Sequence, residues 1–366
     1  MSGRPRARDL GLILGQLDPG PHNAITDIYG VRVGHVTLIE GEGRLLPGQG
    51  PIRTGVTAIL PHGGNLYRDK VVAGVHTING FGKACGFEQV RELGTLETPV
   101  MLTNTLNVGL VSDALVSYML RENSGIGIDT TTVNPVVCET NDGFLNDIQG
   151  RHVRHEHVFE AIETASEGPV SEGNVGAGTG TTAFGFKAGI GTASRRTPNE
   201  LGGFTLGVLV QVNFGRPQDL TIAGAPVGRL LRADTPDNGG DGSIVIVLAT
   251  DTPCSSRQLT RLCRRAALGL ARVGSLGAHG SGDFAIAFST TNRRPHDLKG
   301  RLVEPRPTLV GEGSALSALF QAVVESVEEA VVNALLRAET MIGRDSHRAT
   351  AIPLEPLQRL LGLPQD

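Results

Sequence analysis

The sequence predicts an α/β fold, buried strands covered by helices, and two patterns predict it. The runs Leu206 to Val212, Ile244 to Ala249 and Phe284 to Ser289 are short and apolar, as strands covered on both faces are. Longer stretches, Leu106 to Leu120, Ser255 or Ser256 to Gly274, and Ser314 to about Met341, repeat their apolar residues at helical spacing. Between them fall 50 glycines without a collagen-like period, which implies many tight turns and not disorder. With 39% hydrophobic residues in 366, the chain can bury a sizeable core.

In chain order, Ile28 to Ile39, Val56 to Leu60, Val71 to Ile78 and Val100 to Thr103 read as strands separated by glycine turns. The helix from Leu106 aligns Leu110, Val111, Ala114, Leu115, Tyr118 and Met119 on one side, as core. A strand from Val133 to Cys138 then delivers Glu139-Thr140-Asn141-Asp142-Gly143-Phe144-Leu145-Asn146-Asp147. Read alone, the acids Glu139, Asp142 and Asp147 suggest a solvated turn capping a helix near Asp147. His152, His155 and His157 invite a metal hypothesis, but arginines lie among them and His-Glu-x-x-His spacing is absent. A solvated face leading into a polar helix, Val158 to Ala165, is expected, and no metal. Gly178-Thr179-Gly180-Thr181-Thr182-Ala183 matches the dinucleotide fingerprint formally, yet follows a polar loop and runs into Phe184 to Gly189, which alternates like a strand, so no nucleotide cofactor is expected.

Asn213 stands at the carboxyl end of the strand from Leu206. Beyond Ala249, Ser255 or Ser256 can cap a helix whose Leu259, Leu262, Cys263, Ala266 and Leu270 form one stripe, ended by Gly274. The helix from Ser314 sets Leu316, Leu319, Phe320, Val323, Val327, Val331 and Leu335 against Glu325, Glu328, Glu329 and Arg337, and should cover a sheet with its acids outward. Pro353 onward reads as a tail that packs on a neighbouring subunit.

A formal charge of −4 gives no electrostatic reason to expect nucleic acid or an anionic membrane as partner, and Arg4, Arg6 and Arg8 read as a frayed terminus. Cys85, Cys138, Cys254 and Cys263 have neither zinc nor Cys-x-x-Cys spacing and are expected as reduced, mostly buried thiols. Leu10 to Leu14 is too brief for a secretory segment, and the expected setting is cytoplasmic.

Chemistry concentrates at one junction. Thr235-Pro236-Asp237-Asn238-Gly239-Gly240-Asp241-Gly242 is dense in turn formers, and Ser243 follows it at the mouth of a core strand. Gly242 lacks a Cβ, so its carbonyl can be approached closely. Attack by the Ser243 hydroxyl would give an N→O acyl shift and an ester that water opens. The new chain would begin at Ser243 with a hydroxyl nucleophile and an α-amine of pKa roughly 7.7–8.0, suited to a general base. Gly-Ser before a strand is otherwise an ordinary loop entering a sheet.

Gly240-Asp241-Gly242-Ser243-Ile244-Val245-Ile246-Val247, the Glu139–Asp147 segment, Asn174-Val175-Gly176-Ala177-Gly178-Thr179-Gly180, Val210-Gln211-Val212-Asn213-Phe214-Gly215, and Ser281-Gly282-Asp283-Phe284 with Ala285 and Phe288 together resemble the L-aminopeptidase/D-esterase (β-aminopeptidase) family of self-cleaving N-terminal serine hydrolases. The resemblance spans nearly the whole chain. It implies two stacked sheets sandwiched between helix layers (αββα), related to the ornithine acetyltransferases, and one catalytic domain, 1–366, cut into 1–242 and 243–366. It implies an acyl-enzyme on Ser243, oxyanion donation by Asn213, and hydrogen bonds from Ser281 and Asp283 to the nucleophile and the new amine. Substrates would be short peptides, amides and esters with a free amino terminus, whose cationic amine needs a fixed negative partner. Glu139, held by the sheet, is the best candidate. The family usually carries an aromatic with a polar edge, such as tyrosine, where this chain has Phe144, and that residue is proposed to help hold the oxyanion. Phe144 has no donor, so another group must supply the second hydrogen bond or stabilisation is weaker. A homo-tetramer of cleaved heterodimers is the implied assembly. An acyltransferase on the same scaffold and an uncleaved, non-catalytic protein are the alternatives.

Overall fold

The computed structural model describes residues 3–231 and 242–364, so the expected turn-rich loop at Thr235–Asp241 lies outside the described residues. The elements in order are β1 (Arg32–Glu40), β2 (Ile52–Leu60), β3 (Asp69–Gly80), β4 (Ala84–Cys85), α1 (Phe87–Leu93), β5 (Thr95–Leu96), β6 (Val100–Asn104), α2 (Val108–Glu122), β7 (Val136–Thr140), α3 (His155–Glu163), β8 (Thr182–Ala183), β9 (Phe186–Lys187), β10 (Ile190–Arg196), β11 (Thr205–Asn213), α4 (Val227–Leu230), β12 (Ser243–Thr250), α5 (Ser256–Arg272), β13 (Gly282–Pro295), α6 (Ser314–Leu336), β14 (Met341–Ile342), β15 (Arg348–Ala349) and α7 (Leu354–Leu361).

Two sheets carry the fold, one in the order β1-β2-β6-β7-β4 and the other β10-β11-β12-β13-β3-β5. Strand β12 shows why they stack. Its Val245, Val247 and Ala249 pack between the sheets with Val33, Ile59, Leu102 and Val136, while Ile244, Ile246 and Leu248 pack outward against α5 and α6. The other sheet buries Val56, Ala58, Met101 and Val137 under α2 and α3. The layers are therefore α2/α3, sheet, sheet, α5/α6, the expected αββα arrangement. Among the described residues no helix is long and apolar enough to cross a membrane.

The strands and helices expected around Ser243 are present, with Ser255 capping α5 through the Gln258 amide. Several expectations need correction. Phe184 to Gly189 is not one strand: Phe184 and Gly185 take positive φ and fold β8 back onto β9. Strand β10 went unforeseen because Thr192, Ser194 and Arg195, all buried, interrupt its apolar pattern. The acids of α6 do not face water. Glu325 and Glu329 are buried on Arg195, itself fully buried, at 3.2 and 2.6 Å.

The N-terminal arginines are not frayed: Arg8 pairs with Glu329 at 3.0 Å, Arg6 with Glu172 at 2.8 Å, and Arg4 donates to the carbonyls of Leu336 and Ile352. Charge pairing inside the fold thus turns what reads as a polar helix face into an interior one. The segment after Pro353 packs on the chain's own core through Leu357, with Leu354, Leu360 and Leu361 against it.

Candidate active site

Three strand ends meet at one cavity. Asn213 closes β11 directly opposite Ser243, the first residue of β12, and Gly282, the first of β13, lies beside Ser243 in parallel register. The cavity, about 330 Å³, is lined by Ser243, Gly242, Asn213, Thr182, Glu139 and Phe144, with Phe81 and Lys83 at its exposed rim.

The Gly242–Ser243 bond sits in a close-fitting cradle. Ser243 Oγ lies 2.6 Å from the Gly242 carbonyl oxygen, and the Gly282 amide donates to that same oxygen at 3.0 Å. A Cβ on Gly242 would stand 2.0 Å from the Asn213 carbonyl oxygen, and one on Gly282 3.1 Å from Ser243 Oγ, so both positions need glycine for room.

Asn213 Oδ1 accepts the Thr182 amide at 3.1 Å. Since an N–H must face oxygen, this bond fixes the amide's orientation and leaves its NH₂ for the cavity. Ser281 and Asp283 are both buried and joined at 2.6 Å, the hydroxyl donating to Asp283 Oδ1. Asp283 Oδ2 is buried without a hydrogen-bond partner. Burial pushes the Asp283 carboxyl above the usual range, against the Ser281 hydroxyl and the nearby Ile244 amide, which pull it down. Ser243 Oγ is bonded to the Gly242 carbonyl rather than to Ser281, which borders a separate small cavity with Phe214 and Gly277.

Glu139 lies inside β7 and is buried, not solvated, with Oε1 accepting the Lys83 amide at 3.1 Å and Oε2 the Thr105 hydroxyl. Among the described residues no basic side chain forms an ion pair with it. Asp142 is equally buried beneath the site, bound by Thr54 and Asn146, and burial pushes its carboxyl up to about 7. Asp147 does cap a turn of 3₁₀ helix, through the Gly150 amide, but is buried too. Phe144 stacks on His347, ring centres 4.8 Å apart and 14° from parallel, and its carbonyl accepts the His347 Nδ1 proton at 2.8 Å. The three histidines at 152–157 turn to different partners: Asp147, Asp113 and the Arg154 amide.

The model of peptidase family S58 matches residues 23–349. The chain belongs to peptidase family S58. Family S58 membership and the relatives make it an aminopeptidase, a hydrolase with a serine nucleophile. It is 44% identical over 98% of its length to the beta-peptidyl aminopeptidase BapA of Sphingosinicella microcystinivorans, 92% of which is covered. Two solved structures overlay across 98% of the chain: the PH0078 protein from Pyrococcus horikoshii OT3 (99% of that chain, TM-score 0.92, 52% identity), and the L-aminopeptidase D-Ala-esterase/amidase from Ochrobactrum anthropi (98% of that chain, TM-score 0.90, 44% identity), a prototype for the serine aminopeptidases and a variant of the Ntn hydrolase fold.

Several contributors to this S58 site carry little signal in a sequence. Gly282 acts through its backbone amide, and only its place between Ser281 and Asp283 hints at it. Thr182 acts through a backbone amide in a stretch that reads as a generic glycine loop. Asn79 Nδ2 grips the carbonyls of Ala278, His279 and Ser281, holding the loop that carries Ser281, from a strand end 202 residues away.

Proposed function

We propose that this aminopeptidase matures by cutting its own Gly242–Ser243 bond and then removes N-terminal residues from short peptides, amides and esters through an acyl-enzyme on Ser243. The observation that carries the reading is the Gly242 carbonyl, whose oxygen is held by the Gly282 amide at 3.0 Å and touched by Ser243 Oγ at 2.6 Å. Attack of Oγ on that carbon forms the C–O bond, and the Oγ proton passes to the departing Ser243 nitrogen as the C–N bond breaks. Water then opens the ester, leaving a carboxylate on Gly242 and an amine on Ser243. Gly282 supplies the oxyanion hydrogen bond that Phe144 lacks the atoms to give.

In turnover the freed amine takes the Oγ proton as Ser243 attacks the substrate carbonyl, and Asn213 donates to the oxyanion. The new amine emerges beside Asp283, whose partnerless Oδ2 suits an ammonium, with Ser281 holding the other oxygen. Glu139, buried, lining the cavity and without a cationic partner among the described residues, suits the substrate's ammonium, and a cavity closed at that end would exclude chains extending upstream.

Denaturing mass spectrometry tests maturation. Fragments 1–242 and 243–366 should appear at about 25 and 13 kDa, by proportion from 38.4 kDa. Intact chain after long incubation at neutral pH would refute the reading. A homo-tetramer of cleaved heterodimers in the cytoplasm, the assembly the resemblance implies, is tested by light scattering on the cleaved protein and by cell fractionation.

A further inference from the structure

Lys187 is fully buried on β9, and among the described residues its ammonium forms no ion pair with a carboxylate. Its ammonium donates to the carbonyls of Gly178, at 3.2 Å, Thr181, at 2.9 Å, and Ala188. Taking an ammonium out of water is costly, and a methionine would fill a similar volume without that cost. Burial lowers its pKa to about 7, and the field of Asp142 is what opposes the fall. The charge is held at a disadvantage, and what it holds in return are three peptide carbonyls, one of which belongs to a peptide that also reaches Asn213.

That peptide is the link between Thr181 and Thr182. Its carbonyl points to Lys187 Nζ, and its N–H donates to Asn213 Oδ1 at 3.1 Å. A peptide group is rigid and planar, so a grip on the oxygen fixes the direction of the N–H. The Ala188 amide also donates to that carbonyl but is longer, at 3.4 Å against 2.9 Å for Lys187 Nζ, so the ammonium is the closer of these two grips on this peptide, while the rest of the hairpin is anchored elsewhere, by the Phe184 amide on Phe214 and the Lys187 amide on Thr350. We propose that Lys187 is a positioning residue for the hydrolytic reaction: by pinning the Thr181–Thr182 peptide, it keeps the Asn213 amide turned so that its NH₂ meets the oxyanion. The inference rests on the Asn213 role given above.

A double-mutant cycle on the full chain tests it, with turnover of an amino-acid anilide normalised to the fraction of cleaved chain and folding checked by thermal melting. Asn213→Ala should lower kcat roughly 10²–10³-fold, the usual loss of one oxyanion donor. Lys187→Met should lower kcat roughly 10- to 10²-fold, a part of that same loss, with KM unchanged because the Glu139 end of the cavity is untouched. The double variant should be no slower than Asn213→Ala alone. Losses that multiply, or a raised KM with normal kcat, would overturn the inference while leaving Asn213 in its role. An Asn213→Ala variant that turns over normally would overturn the Asn213 assignment and this inference with it. If Lys187→Met fails to fold, Lys187→Gln, uncharged and one bond shorter so that the Nζ position is vacated, is read by the same additivity criterion.

Discussion

Gly242→Ala probes the cradle around the scissile bond directly. The added methyl would lie 2.0 Å from the Asn213 carbonyl oxygen and 2.8 Å from the Phe214 Cα, both backbone atoms. Relief to ordinary contact near 3.4 Å needs a shift of about 1.4 Å, and the β11–β12 ladder holds Asn213 in place, so Gly242 must move. Its carbonyl then leaves the Gly282 amide, 3.0 Å away, and the line of approach of Ser243 Oγ. A misplacement of about 1 Å in a reacting group costs on the order of 10²-fold in rate. Autocleavage of Gly242→Ala should therefore slow by on the order of 10²-fold, with the fold preserved, since Gly242 precedes the strand. The assay is intact mass after quenching aliquots in denaturant over a time course at neutral pH, with Ser243→Ala as the uncleavable control. Cleavage of Gly242→Ala at the wild-type rate would show that the placement of this carbonyl does not govern the step.

Further predictions concern recognition, pH and stability. Glu139→Gln should raise KM for an amino-acid anilide and leave autocleavage unchanged, and the wild-type enzyme should spare the N-acetylated anilide; equal hydrolysis of the blocked compound would sink amine recognition. Asp142 has a folded pKa of about 7 against roughly 3.9 unfolded, so its contribution to stability is full below the lower value and lost as pH rises through the higher. The Tm of Asp142→Asn relative to wild type should accordingly climb between pH 5 and pH 8, read by thermal melting across that range, and a constant offset would contradict the assignment. Arg195→Met strands Glu325 as a buried charge without its ion-pair partner, leaves Glu329 with Arg8 alone, and should cost about 3–5 kcal/mol in chemical denaturation; a loss under 1 kcal/mol would mean the acids find other partners.

What could be read from residues alone follows a physical line. Strands β12 and β13 and helix α5 were legible because their burial is achieved by apolar side chains, which leave a periodic trace. Strand β10 and the inner face of α6 were not, because Arg195, Glu325 and Glu329 are buried by pairing with one another across 130 and 134 residues, and pairing leaves no local pattern. The site divides the same way. Ser243, Asn213, Asp283 and Glu139 are visible as side-chain types at strand ends, and the family resemblance gave them roles. The Gly282 and Thr182 contributions are backbone N–H groups, which every residue but proline possesses, so only the register of neighbouring strands reveals them.

The order of the second sheet bears on how often this molecule can fold. Strands β12 and β13, both downstream of Ser243, lie between β11 and β3, both upstream of it. If the bond is cut as proposed, the shorter fragment is a guest strand pair laced into its host along two ladders, and neither piece retains the whole of this second sheet without the other. The precursor folds as one connected chain, at an effective concentration set by its own tether. The cut enzyme, if melted, would have to reassemble from two solutes whose exposed strand edges also pair with strangers. Denaturation after maturation should thus be a one-way event, with recovery that depends on dilution, while an uncleavable Ser243→Ala chain refolds at a rate independent of concentration.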